Sequence, residues 1–337
     1  MASVATLPYA HGGPPIVGVI RTEPGDFRVD EELGFTPAGS GEHAFLWIEK
    51  IGANTEWVAR RLADAAGVSP VAIGFSGLKD RHAITRQNFS VHLPGRPDPD
   101  WSALVIPGVR VLAATRHDRK LKRGVHRGNR FRIRVRNVGG AHGEVERRIA
   151  LMRERGVPNY FGEQRFGREA GNIGQARAMF AGRRVDRSKR SMLLSAARSQ
   201  LYNNVLAERV ASRSWATPID GEVYALAGSR SFFGPEPMND TLAQRLASFD
   251  IHPSGPLWGR GEPPTTGVAA ELESRIAAAD NDLAQGLAAA GMDQERRALR
   301  LRPEGLAWRW LDDALEVSFS LPAGAYATTV LREVAQV

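Results

Sequence analysis

Apolar and polar residues alternate along much of the first 150 residues, and this pattern predicts strands joined by turns. The clearest alternation covers residues 43–49, and residues 88–93 repeat it. Residues 71–75 form a short apolar run, which predicts another strand. The sequence between the last two segments is polar and charged, so we expect a loop that strands hold at both ends.

One helix interrupts these predicted strands at about residues 54–67. Asn54 is a candidate N-cap, and Gly67 stands where a left-handed residue commonly ends a helix. The apolar residues expected on the buried face of this helix are Val58, Leu62, Ala65 and Ala66.

From about Glu144 the pattern becomes helical, with Val145, Ile149 and Met152 spaced for a buried stripe that ends at Gly156. Helical pattern then dominates to about residue 295 and includes residues 187–213, which contain neither Gly nor Pro. Residues 252–264 are rich in Pro and Gly and predict a surface connection. Alternation returns in residues 299–301 and 315–319, so the order is strands, helices, strands.

This order predicts an α+β protein in which one mixed domain is interrupted by a helical insertion. We place the discontinuous domain at residues 1–155 and 298–337, and the inserted domain at residues 156–297. A length of 337 residues agrees with two domains.

Composition points to a nucleic acid as the partner. Lys and Arg number 45 against 37 Asp and Glu, which gives a net charge of +8, and such an excess favours polyanions. The absence of cysteine excludes disulfides, Cys-ligated zinc and thiol nucleophiles. We find no apolar run of twenty residues and no signal-like N-terminus, so we expect a cytoplasmic enzyme without a membrane anchor.

The loop at residues 77–81, Gly-Leu-Lys-Asp-Arg, is the strongest candidate for chemistry. Asp80 lies between two cations, which favour an ionised carboxylate, and loops on rigid strands commonly carry catalytic groups. The alternative is a solvated surface turn whose charges contribute less than about 1 kcal/mol.

A second candidate is the basic stretch from Arg116 to Arg136, in which ten of 21 residues are Lys or Arg and only Asp118 opposes them. Its apolar residues Phe131, Ile133 and Val135 alternate with arginines, so a strand would bury one face and present guanidinium groups on the other. Either a phosphate backbone lies across these groups or the face is simply solvated. The alternating arginines are Arg132, Arg134 and Arg136.

The segment FSGLKDRHAITRQ at residues 75–87 closely resembles the central motif of the TruD family of tRNA pseudouridine synthases. Other segments resemble further blocks of the family and occur in the family's order. They lie at residues 24–29, 127–131, 156–167, 194–199 and 321–328.

This resemblance implies a pseudouridine-synthase domain with a mixed, mainly antiparallel sheet and an inserted domain particular to the family. It implies isomerisation of one uridine in the D-arm region of tRNA, at position 13 in the family. Asp80 would be the nucleophile. Lys79 is an adjacent cation, and Arg21, at a position where relatives can carry Lys, is the candidate ion-pair partner.

The resemblance also implies how the substrate is held. Asn129 would bond the uracil, although a turn residue is the plain alternative, and Phe131 would stack on the base unless it is only core. The full set implied for the substrate pocket is Phe27, Asn129, Phe131 and Tyr326. The expected RNA phosphate contacts are Arg132, Arg134, Arg136, Lys120, Arg123 and Arg165, the last of which has a loop anchor as its alternative role.

No metal and no organic cofactor is expected, because the isomerisation is redox-neutral and needs no outside group. We expect tRNA as the partner, no membrane, no obligate protein partner, and a monomer.

Two other functions remain open at this point. An RNA-binding protein without activity would tolerate substitution of Asp80. A hydrolase based on two carboxylates would need a second acid, for which the candidates are Glu23, Asp26, Asp30, Glu31 and Glu42.

Overall fold

The computed structural model describes residues 6–337. The strands are β1 (Ile16–Val19), β2 (Phe27–Glu32), β3 (His43–Lys50), β4 (Ile73–Phe75), β5 (Ile84–His92), β6 (Val109–His117), β7 (Gly128–Gly140), β8 (Val157–Pro158), β9 (Tyr224–Leu226), β10 (Phe232–Phe233), β11 (Ile251–Leu257), β12 (Glu295–Ala298), β13 (Arg300–Leu301), β14 (Glu304–Leu311), β15 (Ala314–Pro322) and β16 (Ala335–Gln336). The helices are α1 (Thr55–Ala66), α2 (His142–Arg155), α3 (Gly171–Phe180), α4 (Arg187–Ala211), α5 (Asp240–Ala247), α6 (Gly267–Ala279), α7 (Asn281–Ala289) and α8 (Ala327–Leu331).

The chain forms two compact units, and each is built from separated segments. The sheet unit comprises Ile16–His142, Glu304–Gly324 and Ala335–Val337. The helical unit comprises Gly143–Pro303, Ala325–Val334 and the described residues up to Pro15. The mixture of a large sheet with segregated helices confirms the predicted α+β class.

The sheet unit contains a ten-stranded sheet with the order β14-β15-β7-β2-β5-β3-β6, to which β1, β4 and β16 add at its sides. Most neighbours are antiparallel, but β2 runs parallel to β5, and β1 runs parallel to β16. Because β2 and β5 are parallel neighbours, both strands begin at the same end of the sheet. The segments that lead into them are therefore brought together.

The sheet has two different faces. Residues paired across neighbouring strands project to the same side, so Phe27 and Glu31 of β2 share a face with their partners Ile133 and Asn129 of β7. We call this side the core face. The opposite side, which we call the open face, carries Arg28, Asp30, Arg130, Arg132 and Arg134. The predicted alternation of β7 is confirmed, because Phe131, Ile133 and Val135 are buried.

Helix α1 covers part of the core face. It ends at Gly67, which has φ 59° and ψ 44°, as predicted for a left-handed C-terminal residue. Asn54 occupies the N-cap position, but its side chain makes no capping hydrogen bond. Ala65 is exposed, and Ala63 is buried in its place. The buried face continues from Ala59 in steps of four residues, so position in the helix, and not apolar character, decides which alanine is buried.

The helical unit confirms the predicted stripe of α2 and the long uninterrupted helix α4, and it also contains an unexpected four-stranded sheet, β10-β9-β11-β12. The prediction of a surface connection at residues 252–264 is wrong for its first half, because β11 is an inner strand whose residues 251–256 are all buried. Its prolines are accommodated because β11 pairs with β9 along its first residues and with β12 along its last. Proline has no N–H to donate, but the carbonyl of Pro253 still accepts a hydrogen bond, from Leu299 N at 2.8 Å.

A search of the helices within residues 6–337 for one with the length and apolar character needed to cross a membrane finds none.

Candidate active site

Asp80 and Arg21 form an ion pair at the end of the sheet where β2 and β5 begin. Arg21 donates from Nη2 to Oδ2 of Asp80 at 3.2 Å, and the backbone N–H of His82 donates to Oδ1 at 2.9 Å. The side chain of Asp80 is 24% exposed. The structure therefore places an accessible carboxylate against one fixed cation, and this cation is the residue named as its candidate partner from the sequence.

Arg21 is held in an unusual backbone conformation, with φ 61°. A residue other than glycine adopts this region at a cost of roughly 1 kcal/mol or more, and persists there where its surroundings hold it. The guanidinium carbon lies 4.3 Å from the centroid of the Phe27 ring, a cation–π contact. Phe27 meets the ring of Phe131 edge-on at 6.2 Å. Phe27 thus supports the cation that binds Asp80.

Lys79 does not bind Asp80 but turns to a buried carboxylate. Its ammonium lies 2.8 Å from Oε2 of Glu31, and the two side chains are 5% and 0% exposed. Glu31 also accepts hydrogen bonds from Ser76 Oγ at 2.5 Å and from the backbone N–H of Asn88 at 3.0 Å. The Asp80 loop, which we define as residues 76–83, is therefore fixed to the core face by its own lysine and serine.

Further hydrogen bonds fix the backbone of the Asp80 loop. Gln87 donates to the carbonyl of Gly77 at 3.2 Å, and the N–H of Lys79 donates to Thr55 Oγ1 at 3.1 Å. Lys50, at the end of β3, donates to the carbonyls of Lys79 and Asp80. The loop is consequently a preorganised support for the carboxylate of Asp80 and differs from a solvated turn.

Asn129 is the second residue of β7, where it pairs with Glu31 and Leu321, so a turn role is excluded. Its Nδ2 lies 3.5 Å from Nε2 of His126. Its Oδ1 is buried, and nothing in residues 6–337 hydrogen-bonds it. Burial lowers the pKa of His126, Lys79 lowers it further, and Glu31 opposes them, so the imidazole is neutral at pH 7. Asn129 therefore keeps an acceptor without a partner beside a neutral ring.

Phe27 and Phe131 are both largely buried, at 4% and 8% exposure. Phe131 packs on Phe27 and on Phe319, whose ring centroid lies 5.7 Å away. Both aromatic residues are therefore part of the core face, and little of either side chain is open to solvent.

The arginines of β7 lie on the open face, opposite to Asn129 and Phe131, and two of them already bind carboxylates. Arg136 lies 2.8 Å from Asp26 and 3.1 Å from Glu23, and Arg134 lies 3.5 Å from Glu316. Burial alone would raise the pKa of Asp26, but the hydrogen bonds from Arg136 lower it. In residues 6–337, no carboxylate lies within ion-pair distance of Arg132. Carboxylates from β15 and from the turn before β2 thus neutralise Arg134 and Arg136.

The segment between β6 and β7 lies beside the Asp80 loop. Gly124 N donates to the carbonyl of Ser76 at 2.7 Å. The guanidinium of Arg123 lies 3.9 Å from the centroid of Phe75 and pairs with Glu56 at 3.3 Å, while Lys120 donates to the carbonyl of Val71. Arg123 is half-exposed in a segment that contacts the Asp80 loop at Ser76.

Tyr326 and Arg165 belong to the helical unit and form a cluster there. Arg165 donates from Nε to the hydroxyl of Tyr326 at 2.9 Å and from Nη1 to Ser195 Oγ at 2.7 Å. A Cβ on Gly162 would lie 2.8 Å from Cδ1 of Tyr326, so only glycine leaves room for the ring. The contacts of Arg165 are those of an anchor.

The carboxylates considered as a second acid have partners of their own. Glu31 binds Lys79, Glu23 and Asp26 bind Arg136, Asp30 lies 3.8 Å from Arg86, and Glu42 lies 3.5 Å from His92. The structure gives none of them a hydrogen bond to Asp80 within the described residues. The same part of the chain contains no group of three or more acidic or histidine side chains arranged to hold a metal.

The sequence analysis did not identify Lys50, and it considered Glu31 only as a possible second acid. The sequence pattern nevertheless marks both residues. Each continues the buried alternation of its strand: Glu31 follows Phe27 and Val29, and Lys50 follows Leu46 and Ile48. A charged residue at the next buried position of an apolar strand face needs a partner inside the protein. That requirement identifies candidates for a site.

Comparisons with known proteins match the whole chain. The family model described as tRNA pseudouridine synthase D (TruD) matches residues 3–176 and 175–334. A tRNA pseudouridine synthase D of Xanthomonas axonopodis pv. citri is 48% identical over 355 aligned positions, covering 100% of this chain and 96% of the relative. The protein of that name from Methylococcus capsulatus is 51% identical, with 98% and 94% covered.

A solved structure shows the same fold. The crystal structure of a TruD protein from Methanosarcina mazei superposes with a TM-score of 0.74, at 21% sequence identity, and covers 98% of this chain and 96% of its own.

We expect Glu31→Gln to destabilise the sheet unit by about 3–5 kcal/mol, because the buried ammonium of Lys79 loses its counterion. Urea unfolding of the purified variant measures this loss. Glu49→Gln is the matched control, since Glu49 binds Arg86 and Arg110, which are exposed; we expect it to lose less than about 1 kcal/mol. Equal losses in the two variants would show that Glu31 is not a structural anchor.

Proposed function

The chain belongs to the TruD family of tRNA pseudouridine synthases, and we propose that Asp80 is the nucleophile with which it isomerises a uridine in the D-arm region of tRNA, at position 13 in the family. The observation that carries this assignment is the ion pair of Asp80 with Arg21, in a loop that buried side chains fix from below. The carboxylate of Asp80 is therefore accessible for attack and does not pair with Lys79, because Lys79 binds Glu31.

The reaction exchanges one bond of the nucleoside for another. The target base leaves the stack, as bases must when an enzyme acts on them inside folded RNA. Asp80 attacks either the sugar carbon or C6 of the uracil, the bond from N1 to the sugar breaks, and the base rotates so that C5 bonds the sugar carbon. The proton leaves C5, N1 gains one, and Asp80 is released. Arg21 stabilises the carboxylate before the attack and after its release.

The side chains around Asp80 have distinct roles in this proposal. Asn129 offers its unpartnered Oδ1 to an N–H of the uracil, and Phe27 holds Arg21 in place. Phe131, which packs on Phe27, borders the pocket. In the helical unit, Arg165 holds the Tyr326 ring through its hydroxyl, and the family resemblance implies that Tyr326 stacks on the base. In this proposal residues 1–155 and 298–337 form the catalytic domain, and residues 156–297 are the family-specific insertion.

Two separate basic surfaces contact the tRNA in this proposal. Arg123 and Lys120, beside the Asp80 loop, bind phosphates of the D arm. Arg132 lies on the open face, directly opposite Arg28 across the strand pair, and two like charges so placed repel each other unless an anion lies between them. Arg132 therefore binds a part of the tRNA away from the target uridine. Arg134 and Arg136 approach the same surface, but their carboxylate partners commit them mainly to the fold.

The remaining features of the proposal are general. The protein acts as a monomer in the cytoplasm, where tRNA is available, and the reaction uses no metal or organic cofactor because it is redox-neutral.

We expect Asp80→Asn to bind unmodified tRNA with an affinity within about threefold of the parent and to show no turnover, because the amide keeps the shape and loses the nucleophile. Chemical mapping of pseudouridine in the tRNA measures turnover. Asp64→Asn, on the exposed side of α1, is the control and should retain full activity. Turnover by Asp80→Asn above background would show that another residue is the nucleophile. A wild-type protein that binds tRNA but forms no pseudouridine would support an RNA-binding role.

We expect Asn129→Asp to lower kcat at least about tenfold, equivalent to about 1.4 kcal/mol. The new carboxylate would repel Asp80 and would lose the amide donor that faces His126. Single-turnover kinetics on tRNA measure the effect. Asn137→Asp, at an exposed position of the same strand, should remain fully active. A wild-type rate for a folded Asn129→Asp protein would remove Asn129 from the site.

The two basic surfaces can be separated with a full-length tRNA and an isolated D-arm hairpin. Arg123→Ala should reduce the slope of log K against log salt by about one unit for both RNAs. Arg132→Ala should do so for the full-length tRNA alone, because the hairpin does not reach the open face. Filter-binding titrations at several salt concentrations give the slopes. An equal effect of Arg132→Ala on both RNAs would place Arg132 beside the target arm.

A further inference from the structure

Lys50 is a buried cation without a counterion. Its side chain has no solvent exposure, and its ammonium donates to the carbonyls of Ala53 at 2.9 Å, Asp80 at 3.0 Å and Lys79 at 3.3 Å. Nowhere in residues 6–337 does a carboxylate lie within 4.0 Å of its nitrogen. Three N–H donors thus face three backbone acceptors, a complete match for a protonated amine.

The position of Lys50 follows from the sheet. Strands β3 and β5 are antiparallel, and Lys50 lies opposite Thr85, the second residue of β5. The end of β3 is therefore adjacent to the end of the Asp80 loop. Gln87 donates to the carbonyl of Gly77, and Thr55 accepts from the N–H of Lys79. Of these three side chains, only that of Lys50 reaches the peptide group of Asp80.

A charge buried in this way is costly. Moving an ammonium out of water costs several kcal/mol, and apolar replacements of buried charges are often neutral or stabilising. An apolar side chain would fit the rest of this strand face, which carries Ala44, Leu46 and Ile48. The lysine is thus not explained by stability, and its contacts all point to the Asp80 loop.

We propose that Lys50 is a positioning residue, whose protonated amine holds the peptide groups of Lys79 and Asp80 so that the Asp80 carboxylate stays aligned with Arg21. The proposal rests on the nucleophilic role proposed for Asp80. It assigns to Lys50 no contact with the substrate.

We call the hydrogen bonds from Lys50 to the carbonyls of Lys79 and Asp80 the clamp, and this clamp depends on pH. Burial lowers the pKa of Lys50 to about 8, the carboxylate of Asp80 raises it, and the ammonium of Lys79 lowers it. The residue opposite Lys50 on β5, Thr85, is uncharged. Above pH about 8 the neutral amine keeps two N–H donors for three carbonyls. One bond to the loop is then lost together with the charge.

The sign of the stability change separates this effect from unfolding. Because the pKa of Lys50 is lower in the folded protein than its ordinary value of 10.5, the folded state binds fewer protons than the unfolded state between pH about 8 and 10.5. This group therefore makes the fold more stable as pH rises through that range. A loss of activity there would not arise from unfolding at Lys50.

The test combines kinetics with chemical replacement of the amine. We expect Lys50→Met to reduce the single-turnover rate at pH 7 at least about thirtyfold, with tRNA affinity within about twofold of the parent. Arg96→Met is the matched control, because Arg96 also binds backbone carbonyls, those of Ala66 and Gly67 at the end of α1. It should keep the parental rate.

The absence of cysteine from the chain permits a sharper version. Lys50→Cys, alkylated with 2-bromoethylamine in denaturant and refolded, carries a lysine analogue whose sulfur makes the amine more acidic. We expect the wild-type rate to fall above pH about 8, the alkylated variant to regain most of the rate, and its fall to begin at lower pH. Wild-type protein treated in the same way is the control.

Each outcome decides a different point. Turnover by Lys50→Met at the parental rate, a wild-type rate that does not fall up to pH 9.5, or an alkylated variant whose fall occurs at the wild-type pH would each overturn the clamp. If Lys50→Met does not fold, the wild-type and alkylated profiles still decide. A wild-type protein that forms no pseudouridine would instead refute the proposed function.

Discussion

The buried carboxylate of Glu31 is the contact on which the rest of the site depends. It brings Lys79 down to the core face of the sheet, and the loop that carries Asp80 follows because its residues are neighbours of Lys79. With Lys79 engaged below, Asp80 pairs with Arg21 instead. The site therefore separates two roles that the sequence places side by side: one cation fixes the loop, and another, from a distant segment, serves the carboxylate.

The sequence predicted the structure correctly wherever the spacing of neighbouring residues determines it. The alternation of β7, the end of α1 at Gly67 and the stripe of α2 follow from residue spacing alone, and all are confirmed. The α+β class followed from the order of these patterns. The wrong prediction at β11 has a physical cause. Its Pro and Gly residues predict a loop, but the strand lies between neighbouring strands of a small sheet, and tertiary packing outweighs local preference.

The site shows the same division. Asp80 and the loop around it could be predicted, because charged residues between two strands are a local pattern. The carboxylate partners of Arg134 and Arg136 could not, since they depend on which strands become neighbours and in what register. Lys50 was missed for that reason as well, because its three acceptors come from two loops. The resemblance to a family identified the reaction, but it did not show how the nucleophile is held.

The order of strands in the large sheet has a consequence for synthesis on the ribosome. Strand β7 lies between β2, which precedes it in the chain, and β15, which follows it by roughly 170 residues. At about 5 to 20 residues per second, the hydrogen-bonding edge of β7 stays unpaired for roughly 10 to 35 s after it emerges. An open edge of this kind is a template for wrong pairing between chains. The arginines that alternate along β7 are charges of a single sign, and like charges disfavour the pairing of such an edge with a second copy of itself.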